Sequence, residues 1–246
     1  MKDKVAIVTG GGSGFGAGIV RKFVAEGAQV IVADLNLQAA LDVAAAAGPA
    51  ARALRVDVAD ATDVRLMMEA AELHFGRLDV LVNNAGIGHL PQPLEDLPEA
   101  DFDRIVAVNM KAIYLAMREV VPRFKARGRG VVLNMASTAG VSPRPRLAWY
   151  NASKGWVITA TRANAVELAP FGIRVNALNP VAGETPLLKT FMGEDTPEMR
   201  AKFLSTIPIG RFSTPEDLGH AACFLCSDEA SMITGVCMEV DGGRCI

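Results

Sequence analysis

Val5-Ala-Ile-Val-Thr9-Gly-Gly-Gly-Ser-Gly-Phe-Gly16 passes directly from an apolar, β-branched run into a glycine-rich turn. A short apolar run bounded by turn residues reads as a buried strand, and glycines placed immediately after it read as a tight passage into a helix. Similar runs recur at Val30-Ile-Val-Ala-Asp34, Leu54-Arg-Val-Asp57, Val80-Leu-Val-Asn83, Val131-Val-Leu-Asn134, Arg174-Val-Asn-Ala-Leu178 and Val236-Cys-Met-Glu-Val240. Between them, segments 17–26, 37–47, 60–75, 101–125 and 150–168 carry apolar residues at the three- and four-residue intervals of a helix.

Alternating strands and helices imply parallel pairing, and strands that are apolar throughout imply helices on both faces. The expected fold is therefore α/β: a Rossmann-like, doubly wound, seven-stranded parallel sheet. A chain of 246 residues fits one such domain, 1–246, better than two separate cores. Half of the residues are hydrophobic but only 6% are aromatic, so the core must be aliphatic. No repeat, low-complexity tract or linker interrupts the pattern. The one irregular stretch, 183–213, is rich in Pro, Met, Phe and Thr and is expected to form a substrate lid.

A net charge of −2, with both signs scattered, offers no basic field for a phosphate backbone, so nucleic acid is not an expected partner. The opening residues lack the long apolar stretch and small-residue cleavage site of a signal peptide, and no apolar run spans a bilayer. A soluble, cytoplasmic protein without a membrane partner is expected. Cys223 and Cys226 invite a zinc or redox reading. No second pair stands at zinc-ribbon spacing, and these two fall inside an apolar helix starting at Thr214-Pro215, where three-residue spacing gives one buried face. No metal site is expected.

In a doubly wound sheet, ligands bind beyond the carboxyl ends of the strands. The residues just past those ends are Gly10, Asp34, Asp57, Asn83, Ser137 and Pro180. The glycine turn can bring backbone amides and a helix N-terminus to a pyrophosphate, although a tight turn alone would also use glycine. Asp34 ends the second run near the separation, about 20 residues, at which a carboxylate reaches the adenosine ribose. It favours NAD, because a 2′-phosphate would meet a like charge and residues 35–37 offer no Arg or Lys. The competing role for Asp34 is a helix N-cap.

Thr9-Gly10 with Gly14-Phe15-Gly16, Asn83-Asn-Ala-Gly86, Ser137 and Tyr150-Asn-Ala-Ser-Lys154 resemble, in order and spacing, the short-chain dehydrogenase/reductase family. The resemblance covers essentially the whole chain. It implies an NAD-dependent oxidoreductase that moves a hydride between the cofactor and a secondary alcohol or ketone. The implied catalytic set is Asn109, Ser137, Tyr150 and Lys154. The implied cofactor site takes Gly10, Ser13, Gly14, Phe15 and Gly16 from the turn, then Asp34, Asp57, Val58, Asn84, Ala85 and Gly86, with Tyr150, Lys154, Pro180 and Thr185.

The chemistry accounts for these residue types. Alcohol oxidation needs a base for the hydroxyl proton, and Tyr150 is the candidate. Tyrosine titrates near about 10, so positive charge must stabilise its phenolate, and Lys154, one helical turn away, would supply it. By resemblance Lys154 also holds the nicotinamide ribose and Asn109 positions a water that links it to solvent. Ser137 could hydrogen-bond the substrate oxygen, or merely cap a turn. Asp57 resembles the acid that contacts adenine, against the alternative of a turn residue. The match departs at Asn179-Pro-Val-Ala-Gly183, where Val181 replaces a glycine and Gly183 is expected to restore backbone freedom.

Arg144 and Arg146, between Ser137 and Tyr150, are candidates for gripping an anionic substrate, or are solvated loop charges. His89, Leu90, Trp149, Leu187, Leu188, Phe191 and Met192 are candidates for shaping the substrate pocket. Two other functions compete. One is an NADPH-dependent 3-oxoacyl-carrier-protein reductase, disfavoured by Asp34. The other is a non-catalytic protein that senses NAD(H), disfavoured by the joint presence of Ser137, Tyr150 and Lys154. A nucleotide-sugar enzyme of similar chemistry would need an added substrate domain. By resemblance, a homotetramer or homodimer is expected.

Overall fold

In a computed structural model that describes residues 1–246, Val5–Thr9 forms β1 and is buried at every position, as a strand covered on both faces must be. The glycine turn leads into α1 (Gly14–Ala25), followed by β2 (Gln29–Asp34), α2 (Leu37–Ala47), β3 (Ala51–Arg55), α3 (Ala61–Phe75) and β4 (Val80–Asn83). The second half contains α4 (Glu99–Val106), α5 (Ala112–Arg127), β5 (Gly130–Met135), α6 (Ala148–Leu168) and β6 (Ile173–Pro180). Two short helices, α7 (Pro186–Met192) and α8 (Pro197–Leu204), precede α9 (Pro215–Cys226) and β7 (Cys237–Val240).

The seven strands form one sheet in the order β3-β2-β1-β4-β5-β6-β7, and every neighbouring pair is parallel. The winding direction reverses between β1 and β4, so the connections leaving these strands part and open a crevice at their carboxyl ends. Helices α3, α5 and α6 bury Met67, Met68, Val120, Phe124 and Val157 against one face. On the other face, α1 and α9 contribute Ile19, Val20, Phe23, Leu218 and Leu225. No helix is long and apolar enough to cross a membrane.

Local chemistry fixes several helix starts. The Asn36 side chain accepts from the Ala39 amide, and Asp60 accepts from Thr62 and Asp63. Thr214 and Asp217 form a reciprocal capping box ahead of Pro215, so α9 begins where the sequence indicates. Cys226 is buried within the core on that helix and Cys223 is partly exposed, so the expected shared buried face holds only in part.

Two expectations need correction. Segment 101–125 is helical throughout, as expected, but not α throughout: Ala107–Lys111 forms a π-helical turn between α4 and α5. That turn carries Asn109, whose amide reaches across to Ile87 and Ser153. Segment 183–213 is not irregular, since it contains α7 and α8. Each opens on a Thr-Pro pair, Thr185-Pro186 and Thr196-Pro197, but is too short to show a helical period. These helices close over a small core of their own formed by Val181, Leu188, Met192, Phe203, Ile207 and Phe212.

Helices α1 and α9 approach closely at Gly18, where a Cβ would run into the Pro215 carbonyl, a backbone atom that cannot swing aside. Gly18→Ala is expected to lower unfolding stability by about 1–3 kcal/mol through overpacking. Denaturant titration with an unchanged slope would report this as a shifted midpoint.

Candidate active site

The carboxyl ends of the strands border a cavity of about 500 Å³. Its glycine wall follows from close backbone approach. Gly10 has φ +62° and Gly14 φ +49°; a Cβ on Gly10 would lie 3.0 Å from the Ala85 Cα, and one on Gly14 3.1 Å from the Thr185 Cβ. These two positions keep backbone at the cavity surface. Ser13 and Phe15 line it beside them. Gly16 does not line the cavity: a Cβ there would collide with the Gly10 carbonyl, so this glycine serves the packing of α1 on the turn.

Asp34 lies at the end of the crevice nearest the β3 edge. One of its carboxylate oxygens accepts from the Gly12 amide at 2.9 Å and the other from the Asn36 amide at 2.9 Å. It braces the glycine loop and is not the N-cap of α2, a position held by Asn36. Arg55, its register neighbour on β3, leans toward Asp63 at 3.8 Å and forms no ion pair with Asp34. Asp57 accepts from the Ala59 amide at 2.9 Å, which makes it a turn residue, and with Val58 it also lines the cavity.

At the end of β4 the two asparagines divide the work. Asn83 is buried and donates to Asn134 on β5 at 2.9 Å. Asn84 donates to the carbonyls of Thr9 and Gly10 at 2.8 and 3.1 Å, holding the glycine turn against the 84–86 loop. Asn84, Ala85 and Gly86 all face the cavity. Gly86 leaves space for the Lys154 ammonium, which would lie 3.3 Å from a Cβ at that position.

Ser137, Tyr150 and Lys154 converge beyond β5 and on α6, all three buried. The Ser137 hydroxyl accepts from the Ala139 amide at 3.0 Å, so it caps a turn as well as lining the site. Lys154 donates to the Met135 carbonyl at 2.9 Å, and its nitrogen lies 5.8 Å from the centre of the Tyr150 ring. Burial pushes the Tyr150 phenol up to about 12, opposed by the Ser137 hydroxyl, and pushes the Lys154 ammonium down to about 8. Desolvation is the dominant influence on the Tyr150 phenol, and the Lys154 ammonium is held on the Met135 carbonyl.

Asn109 does not line the cavity. Its side chain accepts from the Ile87 amide, donates to the Ile87 carbonyl, both at 2.9 Å, and donates to Ser153 at 3.0 Å. It clamps the loop after β4 to α6, a positioning task that sequence spacing did not reveal. Val181 is buried in the small core beneath the lid, and Pro180 and Thr185 line the cavity. Gly183 takes no positive φ, so it supplies no special backbone freedom. Its role is space, since a Cβ would strike Phe15 and lie 2.7 Å from the Ser213 hydroxyl.

Segment 183–213 and the loop before α6 add cavity residues that the sequence left open or did not mark. Phe191 packs on Tyr150 with ring centres 4.8 Å apart, and Leu187 and Leu188 line the same wall. Phe203, not singled out from the sequence, lies beneath the Arg144 guanidinium at 4.4 Å. Met192 is buried under the lid, and Trp149, His89 and Leu90 lie outside this cavity. Neither Phe203 nor Leu147, which also faces the site, carries a motif that could have marked it in advance.

A family model described as enoyl-(acyl carrier protein) reductase matches residues 10–244. The 4-formylbenzenesulfonate dehydrogenase TsaC1/TsaC2 of Comamonas testosteroni is 48% identical over 99% of this chain and 98% of its own length. The chain belongs to the short-chain dehydrogenase/reductase family. A galactitol 2-dehydrogenase of Agrobacterium fabrum is 38% identical over 99% of this chain and 98% of that enzyme. Among solved structures, 3-ketoacyl-(acyl-carrier-protein) reductase from Brucella melitensis, crystallised with NADH, superposes with a TM-score of 0.95 at 53% identity, covering 100% of this chain and 99% of that one. The seven-stranded parallel sheet is thus that of an oxidoreductase of the short-chain dehydrogenase/reductase family.

The buried Lys154 predicts a pH signature in stability. Its folded value of about 8 lies below the ordinary 10.5, so between those values the unfolded chain binds a proton that the folded chain does not. Wild-type stability should therefore rise across that window. Lys154→Met should compare most favourably with wild type below pH 8 and lose that relative advantage, at about 1.4 kcal/mol per pH unit, as pH rises toward 10.5. Thermal melts of both proteins over the range would show the two curves converging or crossing.

Proposed function

We propose that this short-chain dehydrogenase/reductase is an NAD-dependent enzyme acting on a CH–OH group, interconverting a secondary alcohol and its ketone. The observation that carries this is the convergence of Ser137, Tyr150 and Lys154 on one cavity whose far end holds Asp34 and a glycine wall. Gly10, Gly14 and the loop 84–86 leave the backbone close enough to hold a pyrophosphate and an adenosine ribose. Ser13, Phe15, Asp57, Val58, Pro180 and Thr185 line the remaining walls of the same cavity. The NADH in the Brucella reductase structure supports the cofactor class.

The bound nicotinamide accepts the hydride in oxidation and donates it in reduction. Tyr150 moves the proton at the substrate oxygen. Because burial holds its phenol at about 12, Tyr150 keeps its proton at neutral pH, ready to donate in ketone reduction. Alcohol oxidation, which needs the phenolate, should accelerate with rising pH. Ser137 donates to the substrate oxygen as charge develops there. Lys154 places positive charge beside the Tyr150 ring and presents its remaining donors to the ribose side of the cavity. Asn109 acts one step removed, through Ile87 and Ser153.

The galactitol enzyme is named for oxidation at a secondary carbon, which supports the same reaction class here. Assembly into a homodimer or homotetramer is what the family resemblance implies for this chain. Sedimentation of the purified protein would test that assembly.

Two measurements test the enzymatic proposal. Tyr150→Phe should lower kcat by about 10²–10⁴-fold while NADH binding, followed by its fluorescence, persists. Unchanged turnover would remove Tyr150 from the mechanism. Asp34→Ser should shift the ratio of kcat/KM for NAD over NADP toward NADP by on the order of 100-fold, the scale of several kcal/mol of like-charge repulsion. A ratio that does not move would mean that Asp34 braces the loop without discriminating between the cofactors.

A further inference from the structure

Arg144 is the one arginine bordering the cavity, and its surroundings differ from those of every paired arginine in the chain. Its half-buried guanidinium stacks on Phe203 at 4.4 Å and donates one hydrogen bond, to the Thr206 hydroxyl at 3.0 Å. A guanidinium carries five N–H donors, and no other acceptor in the protein meets those of Arg144. It forms no ion pair. Burial, and after it the charge of Arg244, push the Arg144 guanidinium down; Arg244 likewise forms no ion pair, donates to Ser142 at 3.0 Å and has a buried Nε without an acceptor. Burying a cation against another cation is unfavourable unless an anion compensates.

The backbone leaves little freedom in this placement. The Arg144 carbonyl accepts from Asn151, the residue next to Tyr150, at 2.7 Å, which ties the arginine to the start of α6. Arg146 differs in each respect: it is exposed, lies outside the cavity and sits at φ +65° on the outer turn. The charges of the cavity are also segregated. Asp34 and Asp57 follow β2 and β3 at one end, whereas Arg144 and Lys154 stand beside β5 and β6 at the other. Lys154 spends one donor on the Met135 carbonyl and turns the others to the ribose in the reading above, which leaves Arg144 as the cation for the opposite wall. Between it and Tyr150 the wall is apolar, formed by Phe191, Leu188 and Phe203.

We propose that Arg144 is the specificity-determining residue of the substrate end, and that the substrate carries a carboxylate or sulfonate joined by an apolar body to the reacting carbinol or carbonyl. The oxyanion pairs with the unsatisfied guanidinium donors, the body lies against Phe191 and Phe203, and the reacting oxygen reaches Ser137 and Tyr150. This rests on the oxidoreductase reading given above, but its test does not require turnover.

The probes are 4-acetylbenzoate, 4-acetylbenzenesulfonate and the uncharged 4-acetylbenzamide, titrated into the enzyme–NADH complex with bound NADH fluorescence as the readout. At least one anion should bind the wild-type complex about 10–100-fold more tightly than the amide, the scale of a charge-assisted hydrogen-bonded pair. The tighter of the two anions tells carboxylate from sulfonate. Arg144→Ala should collapse that ratio, Arg144→Lys should recover part of it, and Arg146→Gln should leave it intact. If Arg144→Ala does not fold, Arg144→Gln, which keeps an amide donor but no charge, replaces it.

Equal binding of amide and anions to wild type would overturn the proposal, as would a preference for anions that survives in Arg144→Ala. A uniform weakening of all three probes, accompanied by dissociation of an oligomer, would also overturn it and assign Arg144 to a subunit contact. Absence of turnover in the wild type, with an anion preference that is present there and lost in Arg144→Ala, would instead count against the oxidoreductase reading alone.

Discussion

Thr9 and the side chain of Asn84 hold together the two halves of the crevice. The Thr9 hydroxyl donates to the Val82 carbonyl at 3.2 Å and accepts from the amides of Asn84 and Ala85 at 3.0 and 3.1 Å. The Asn84 amide returns two bonds, to the Thr9 and Gly10 carbonyls. These contacts cross the point where the winding of the sheet reverses, between the ends of β1 and β4. Buried polar groups are tolerated because each finds a partner, and that mutual satisfaction fixes the glycine turn relative to the 84–86 loop. A turn free to move by an ångström would not keep Gly10 in contact with Ala85, and the cavity floor would lose its shape.

From that knot a chain of polar contacts runs toward the substrate end. Asn83 donates to Asn134, and Asn134 donates to Thr161 on α6, all three buried. Asn109 ties Ile87 to Ser153, and Ser153 donates in turn to the Tyr150 carbonyl at 2.7 Å. Thus α6, which carries Tyr150 and Lys154, is anchored to β5 through one asparagine and to the loop after β4 through another. Rigid support of this kind suits the proton transfer proposed for Tyr150, since both the reach and the ionisation of a buried phenol depend on small displacements. The π turn at Ala107–Lys111 belongs to the same scheme, because it carries the Asn109 amide that spans the loop and α6.

Segment 183–213 is built differently. Its small core of Val181, Leu188, Met192, Phe203, Ile207 and Phe212 is separate from the two large cores that sandwich the sheet. Arg144 crosses from the loop before α6 to this segment, through Phe203 and Thr206, so the segment and the cavity wall share one side chain.

The amino-acid sequence by itself determined the parallel sheet, its strand count and the glycine turn, because these rest on local periodicity and on the steric freedom of single residues. It also marked Ser137, Tyr150 and Lys154 as a set, since their order along the chain carries the family pattern. The tertiary structure decided matters that depend on distant segments meeting. It interrupted 101–125 with a π turn, gave Gly16 to packing and Asn109 to a clamp, and built the lid from helices too short to show a period. It also separated two arginines that look alike in the sequence, because the environment of a charge is made by its neighbours in space: Arg146 faces solvent, and Arg144 is half-buried at the cavity wall with donors that no protein acceptor meets. For the same reason only the folded chain reveals that burial raises the Tyr150 phenol and lowers the Lys154 ammonium, since desolvation depends on how completely the surrounding chain excludes water.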